Sequence, residues 1–164
     1  MRSFLLPLVP TGWEVIKSQD NRVAMPAGNF VEMLIATTKA LSTNKTIYTP
    51  TPGAGVEGNW ASMEVRMQLD FYGDNASDVS QVVSRLIRTD YACQQFAASG
   101  VDIQPLYSEE PRNTTMLNAE SQYQNRWTMD FIGQFNPIVE VPMDFANTLT
   151  IDLVDVDVKY PPEG

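Results

Sequence analysis

Three glutamates, Glu109, Glu110 and Glu120, are the residues of this sequence whose chemistry comes closest to catalysis. A pair of carboxyl groups performs glycoside hydrolysis in most glycosidases, one as general acid and the other as base or nucleophile. These glutamates lie in a polar stretch that lacks the apolar pattern of a pocket, and acidic residues in such a stretch are usually solvated. The pattern favours surface charge, and a carboxylate-based hydrolase is kept only as an alternative.

Three aspartates near the C-terminus, Asp152, Asp155 and Asp157, are candidate ligands for a hard cation such as calcium. Side chains of a strand alternate between its two faces, so Asp155 and Asp157 share a face that Asp152 does not. The three carboxylates therefore do not converge, and a solvated acidic face is the favoured interpretation. No metal site is predicted.

Three glycines, Gly53, Gly55 and Gly58, match the GxGxxG spacing of dinucleotide sites. Such a site needs a strand before the glycines and a helix after them, because the helix N-terminus holds the pyrophosphate. Here Thr-Pro-Thr-Pro precedes the glycines, and an alternating, strand-like pattern follows them. The sequence predicts a flexible loop and no cofactor.

The composition excludes most other enzyme chemistry. The chain has 164 residues, no His and one Cys. Without imidazole there is no Ser–His or Cys–His pair and no His-ligated zinc, and a single Cys excludes an internal disulfide and a thiolate cluster. Cys93 lies in a predicted helix, where a free Cys is usually a small buried residue. We therefore expect a protein that is not an enzyme.

The chain is strongly acidic, with 20 Asp and Glu against 11 Lys and Arg and a net charge of −9 at pH 7. The basic residues are scattered singly, which argues against a protein that grips nucleic acid through its phosphates. An acidic protein can still surround DNA without adhering to it. No stretch approaches the roughly 18 apolar residues of a membrane helix, and the apolar start is too short and proline-rich for a signal peptide.

The length fits one domain over residues 1–164, by the rule of roughly 100–200 residues per domain. A helix beginning after Asn75 is predicted by the i, i+3, i+4 spacing of its apolar residues up to Ile87. Because strands flank this helix and a second one, the predicted class is α+β with a mostly antiparallel sheet. The predicted strands are residues 13–17, 29–41, 61–72, 101–107, 122–135 and 148–158, and the second helix is residues 89–98.

Two long polar segments, residues 42–59 and 108–119, interrupt these elements. The first is rich in proline, glycine and threonine, and is expected to be a long loop or an extended arm that is too polar to pack a core. Loops longer than about 12–15 residues are uncommon in compact domains and are often functional. Residues 136–147 connect the last two predicted strands, with room for one helical turn.

The order of these segments resembles the neck-terminator or tail-terminator proteins of tailed phages. The resemblance covers roughly residues 5–158. The family often begins with a longer N-terminal helix, so the resemblance is not extended to the residues before Trp13. Its most specific parts are Tyr72-Gly73 before the helix, Pro105-Leu106-Tyr107, and Glu120-x-Gln122-Tyr123-x-x-Arg126-Trp127.

The resemblance implies an α+β fold with helices packed on one face of the sheet. It also implies a ring, commonly of six copies, at the head-proximal end of the tail in the virion, built from protein made in the host cytoplasm. Such a ring stops growth of the tail tube and joins the tail to the head connector, while DNA passes through its lumen. The implied partners are other copies of the chain, the tail tube protein, and the tail sheath and head connector proteins.

The long polar segments are then expected to be contact arms to neighbouring subunits or to tube and connector proteins. Deleting residues 44–57 is expected to impair ring or tail assembly while leaving the monomer folded. Asp155 and Asp157 are candidate lumen-facing residues, because an acidic lining lets a polyanion slide. A head–tail connector adaptor, or another acidic assembly module, is the alternative function. The candidate interface residues are Tyr48, Val56, Glu57, Glu109, Glu110 and Arg112.

Overall fold

The computed structural model describes residues 1–19, 25–51, 54–117 and 122–144. The predicted strand 148–158, including the acidic residues Asp152, Asp155 and Asp157, lies outside these residues, as does Glu120. In chain order the elements are α1 (Arg2–Leu5), β1 (Glu14–Lys17), β2 (Phe30–Ala40), β3 (Lys45–Thr49), β4 (Gly55–Trp60), β5 (Met63–Tyr72), α2 (Ala76–Ile87), α3 (Asp90–Ala98), β6 (Gln104–Ser108), β7 (Arg112–Asn113), β8 (Met116–Leu117), β9 (Tyr123–Gln124), β10 (Arg126–Phe135) and β11 (Ile138–Met143).

The main sheet is built from the long alternating strands that the sequence predicts. Its strand order is β1-β2-β5-β10-β6, and β7 also pairs with β10. All of these pairs are antiparallel except β1–β2, which is parallel. In β5, Leu69 points to the apolar face and Arg66 to the opposite one, as period-two alternation requires. The predicted α+β class with mostly antiparallel pairing is confirmed.

The helices cover the apolar face of the main sheet. Phe96 of α3 stacks on Phe131 of β10, with ring centroids 5.5 Å apart. Cys93, expected to be buried, is exposed, because α3 turns Ala92 and Phe96 toward the core and Cys93 lies outside that stripe. The main sheet and its helices are called the body below. Its core includes Val31, Leu69, Phe71, Met129 and Phe131 from the sheet and Phe4, Leu5, Val79, Val83 and Ile87 from the helices.

β5 ends at Tyr72, and the next residue, Gly73, occupies a position that only glycine fits. Gly73 has a φ of +123°, and a Cβ there would lie 1.9 Å from Oδ1 of Asn29. The Asn125 side chain donates to the Gly73 carbonyl at 2.9 Å, which ties this turn to the start of β10. Tyr72-Gly73 is one of the sequence features that resemble the family, and this turn explains why a glycine is required there.

The segment 42–59, which is expected to be a long loop or an extended arm, contains the strand β3 and most of β4. β3 and β4 form a hairpin, and β11 pairs with β4, giving a three-stranded sheet of order β11-β4-β3. The β-branched threonines of this stretch favour strand structure, while its prolines and glycines hide the alternation. β11 also replaces the helical turn expected within 136–147. Pro142 is accommodated because β11 is an edge strand.

The second polar segment, 108–119, contains short strands. β7 adds to the main sheet beside β10, and β8 pairs with β9 to form a separate two-stranded piece. Strands of only two residues, such as β7, β8 and β9, are too short to show a period-two pattern in the sequence. The exposed apolar residues of this piece are Met116, Leu117 and Tyr123.

Candidate functional site

A three-stranded arm, composed of β3, β4 and β11, extends from the end of the main sheet. Along the chain β3 follows β2, β4 leads into β5, and β11 follows β10, and the arm strands keep the same side-by-side order as these body strands. The junction is hydrogen-bonded: the Leu41 amide donates to the Ser62 carbonyl at 2.9 Å, and the Ala61 amide donates to the Pro137 carbonyl at 3.3 Å. The arm is therefore a continuation of the body's three central strands.

One face of the arm, which we call the glycine face, is apolar and concave. A Cβ at Gly58 would lie 3.7 Å from the Ile47 carbonyl oxygen and 3.8 Å from Cγ2 of Ile138. The missing side chain of Gly58 leaves a recess of about 250 Å³ between these two isoleucines. The cross-strand pairing places on this face Lys45, Ile47, Thr49, Val56, Gly58, Trp60, Ile138, Glu140 and Pro142.

The opposite face of the arm, which we call the valine face, presents large apolar side chains to solvent. Tyr48 is 55% exposed, Val139 is 61% exposed and Val141 is 48% exposed. Glu57 lies between Tyr48 and Val141 in the pairing register, and its Oε1 accepts a 3.0 Å hydrogen bond from the Asn59 side chain. The remaining members of the valine face are Thr46, Gly55, Asn59 and Met143.

An arm of this kind is difficult to stabilise by itself. A small sheet needs a packed hydrophobic face for independent stability, and every residue of β3 and β11 is exposed. Contiguous apolar side chains at a surface mark an interaction site. The geometry therefore suits docking against another protein surface.

The predicted interface residues fall into two separate groups. Tyr48, Val56 and Glu57 lie in the arm, on both of its faces. The second predicted segment places its acidic and basic residues at the edge of the main sheet formed by β6 and β7, beside β10. The structure thus brings together the first three predicted residues and keeps Glu109, Glu110 and Arg112 apart from them.

Glu109 is engaged in an ion-pair network on the polar face of the main sheet. Nη1 of Arg66 lies 2.7 Å from Oε1 of Glu109 and 3.2 Å from Oδ2 of Asp130, and Arg112 approaches Glu109 at 3.6 Å. The hydrogen bond with Glu109 raises the pKa of the Arg66 guanidinium. Glu110 is highly exposed and lies 3.9 Å from Arg88. These pairs hold neighbouring strands to one another.

A second polar cluster on the same face centres on the buried Asp70. Arg126 binds it through two nitrogens, at 3.1 Å and 2.8 Å, and the Thr128 hydroxyl donates to it as well. The guanidinium also lies 5.7 Å from the ring centroid of Tyr72. The hydrogen bond with Asp70 raises the pKa of Arg126, and burial raises the pKa of Tyr72 to about 12.

These clusters have the properties of structural networks. Among residues 1–19, 25–51, 54–117 and 122–144, no buried side-chain polar atom lacks a hydrogen-bond partner, and no group of acidic, Cys and His residues is arranged to hold a metal ion. Gly55 and Gly58 lie within β4 between two antiparallel partners, with no helix following them. The arm remains the feature of the described chain that is best suited to recognition.

A comparison with known families decides the class of protein. The family model described as "Phage neck terminator protein" matches residues 1–163. The chain belongs to the phage neck terminator family. The family resemblance seen in the sequence is therefore confirmed. No relative of the chain is found among curated proteins.

Neck terminators are structural proteins of the phage virion, located in its tail and neck and assembled with other tail and head proteins. In the part of this neck terminator that the structure describes, no helix combines the length and the apolar character needed to cross a membrane.

Two parts of this neck terminator are functional candidates that the sequence interpretation missed. The family match begins at residue 1, whereas the resemblance was not extended to residues before Trp13. There the structure places α1, whose Phe4 and Leu5 are buried. The four-residue spacing of Phe4 from Leu8 was the available signal. In β11, the run Ile138-Val139-Glu140-Val141 was a strand signal obscured by Pro137 and Pro142.

Proposed function

We propose that this neck terminator forms a closed ring, commonly of six copies, at the head-proximal end of the phage tail. The ring ends growth of the tail tube and joins the tail to the head connector, and DNA passes through its lumen. Its partners are neighbouring copies, the tail tube protein, and the sheath and head connector proteins. The observation that carries the proposal is the arm, which exposes apolar side chains on both faces.

The shape of the chain supports a ring in preference to a symmetric dimer. The arm extends from one end of the main sheet, so an arm that docks on the body of the next copy joins two different surfaces. Such a head-to-tail contact generates a ring when its rotation closes. The residues of the arm that we assign to this contact include the predicted Tyr48, Val56 and Glu57.

The charge distribution supports passage of DNA without adhesion. The net charge is −9, and three arginines on the polar face of the main sheet, Arg66, Arg112 and Arg126, are each paired with carboxylates. Their positive charges are therefore already neutralised and are poorly placed to bind phosphates. The assignment of Asp155 and Asp157 to the lumen, and of Glu109, Glu110 and Arg112 to a second interface, remains part of this proposal.

The test is a phage that carries the double variant V139K/V141K in this chain. Two lysines on the valine face would place charge in an apolar interface without removing the strands of the arm. The matched control is V82K/V101K, which changes two valines outside the arm that are 46% and 47% exposed. We expect the arm variant to leave tails unjoined or of unregulated length in electron micrographs, and the control to produce normal particles.

Two results would contradict the proposal. Normal, infectious particles from V139K/V141K would show that the valine face of the arm is not needed for assembly. A ring found at the portal instead of the tail end would support the alternative function of a head–tail adaptor. The deletion of residues 44–57 is a less specific test. It removes β3 and the first half of β4, and so leaves β11 without half of its hydrogen-bonding partner.

A further inference from the structure

A second concave surface lies on the body, where the helix layer ends. It is a groove of about 560 Å³ with an apolar floor that includes Met33, Ile35 and Met67. Ile35 is 60% exposed, because the helices that cover the rest of this sheet face do not extend over it. The volume falls within the range of about 300–1,000 Å³ that is usual for binding clefts.

The rim of this groove is basic. It includes Met1 with its α-amino group, Arg2 and Lys17. Nε of Arg2 donates to the Val15 carbonyl at 3.2 Å, which fixes that side chain beside β1. Gln19 also lines the groove and has a φ of +63°, a left-handed conformation that residues other than glycine adopt rarely.

We propose that this groove receives the valine face of the arm of a second copy of the chain. The valine face supplies what the groove lacks: protruding apolar side chains, among them Tyr48 and Val139, for the apolar floor. It also carries a carboxylate, Glu57, for the basic rim. The glycine face is itself concave, so it does not fill a groove. This inference rests on the proposed ring and names the surface by which one copy receives the arm of the next.

The chain's own arm does not reach the groove while it remains paired in its sheet. Met67, on the groove floor, and Glu57, on the valine face, are ten residues apart along β4, the two residues that follow it, and β5. At a rise of about 3.3 Å per residue, an extended path of that length spans about 33 Å while the strands remain paired. A second copy must therefore supply the arm, and each copy offers one arm and one groove.

A disulfide crosslink tests the contact directly. In a Cys93→Ser background, which removes the single native thiol, the chain carries Ile35→Cys on the groove floor and Val139→Cys on the valine face. We expect mild oxidation to produce a ladder of covalent oligomers up to the size of the ring. Each single-cysteine chain should give no ladder, nor should Val82→Cys combined with Val139→Cys.

The outcomes separate this inference from the proposed ring. A ring that forms in solution without the ladder overturns the groove assignment and leaves the ring intact, whereas a chain that stays monomeric overturns both. Covalent dimers from Val139→Cys alone would show that the arm contacts the arm of another copy and not the groove. A crosslink from Ile35→Cys to Asp155→Cys, in place of Val139→Cys, would assign the groove to the C-terminal residues. Both of the last two results overturn the inference.

A charge exchange provides an independent measurement. Glu57→Lys alone and Lys17→Glu alone should each raise the concentration at which the oligomer dissociates by about tenfold, because like charges then meet at the contact. The two changes together should restore assembly. Glu140→Lys on the glycine face is the control and should leave this dissociation unchanged. Equal effects of Glu57→Lys and Glu140→Lys, with no restoration in the double variant, would contradict the proposal.

Discussion

β10 and β11 are consecutive strands of one chain, separated by Asn136 and Pro137, yet they have opposite environments. Six of the ten residues of β10 are buried, whereas all six residues of β11 are exposed. β10 lies under the helices α2 and α3 and between β5 and β6. β11 lies at the edge of the arm, and none of the helices that the structure describes packs against either face of the arm. The same ribbon of strands therefore belongs to a folded core at one end and to a solvent-exposed arm at the other.

The body and the arm differ in the source of their stability. The body gains its free energy from apolar burial within the chain. The arm is held by its backbone ladder and by its junction with the body, and its apolar side chains gain burial only when another surface covers them. Substitutions in the two regions should therefore affect different measurements, folding for the body and assembly for the arm.

The largest effect on folding is expected in the body core. Phe131 is fully buried and stacks on Phe96, so Phe131→Ala should lower the free energy of unfolding by about 3–5 kcal/mol. Ile138→Ala in the arm should lower it by no more than about 0.5 kcal/mol. Urea unfolding measures both when each change is made in the V139K/V141K background, which is expected to stay monomeric. Similar losses for the two variants would contradict the division between body and arm.

Replacing a carboxylate should also destabilise the chain more in the body than in the arm, with a smaller difference than that between Phe131→Ala and Ile138→Ala. Asp70, whose side chain is 6% exposed, accepts hydrogen bonds from Arg126 and Thr128. Asp70→Asn should reduce the free energy of unfolding by about 1.5–3 kcal/mol, because it weakens charged hydrogen bonds and leaves a guanidinium poorly paired. Glu57→Gln in the arm is the matched change and should be close to neutral in the same unfolding measurement. A neutral Asp70→Asn would show that this network does not stabilise the body.

The smallest expected effect is a loss of stability at alkaline pH that originates in the body. Burial raises the pKa of Tyr72 to about 12, so the unfolded chain loses this proton first, near pH 10. The contribution of Tyr72 is therefore complete below about pH 10 and declines as the pH rises toward 12. Unfolding of the native chain and of Tyr72→Phe across this range should differ in slope. Identical slopes would mean that Tyr72 titrates normally.

The body was predictable because its residues follow regular periods. β5 alternates cleanly over ten residues, and α2 repeats its apolar residues at helical spacing, so class and pairing type followed from the sequence. The exposure of Cys93 and the contribution of α1 were not predicted. Which side of a short helix meets the core depends on neighbours that are distant in sequence, and a four-residue helix carries too few residues to show a period.

The arm was predictable only in part. Its length and polar composition indicated a contact segment, and Tyr48, Val56 and Glu57 do lie on it. The third strand was missed because Pro142 argues against a strand unless the strand is known to be an edge. The groove combines residues from α1, β1, β2 and β5, and no local pattern in a sequence reports such a combination.

The central claim is that the arm's valine face assembles copies of this neck terminator. The most direct measurement is the mass of the purified native chain and of V139K/V141K by native mass spectrometry. We expect a closed oligomer for the native chain, about six times its 18.3 kDa mass, and a folded monomer for the variant. A native chain that stays monomeric, or a variant that assembles equally well, would contradict it.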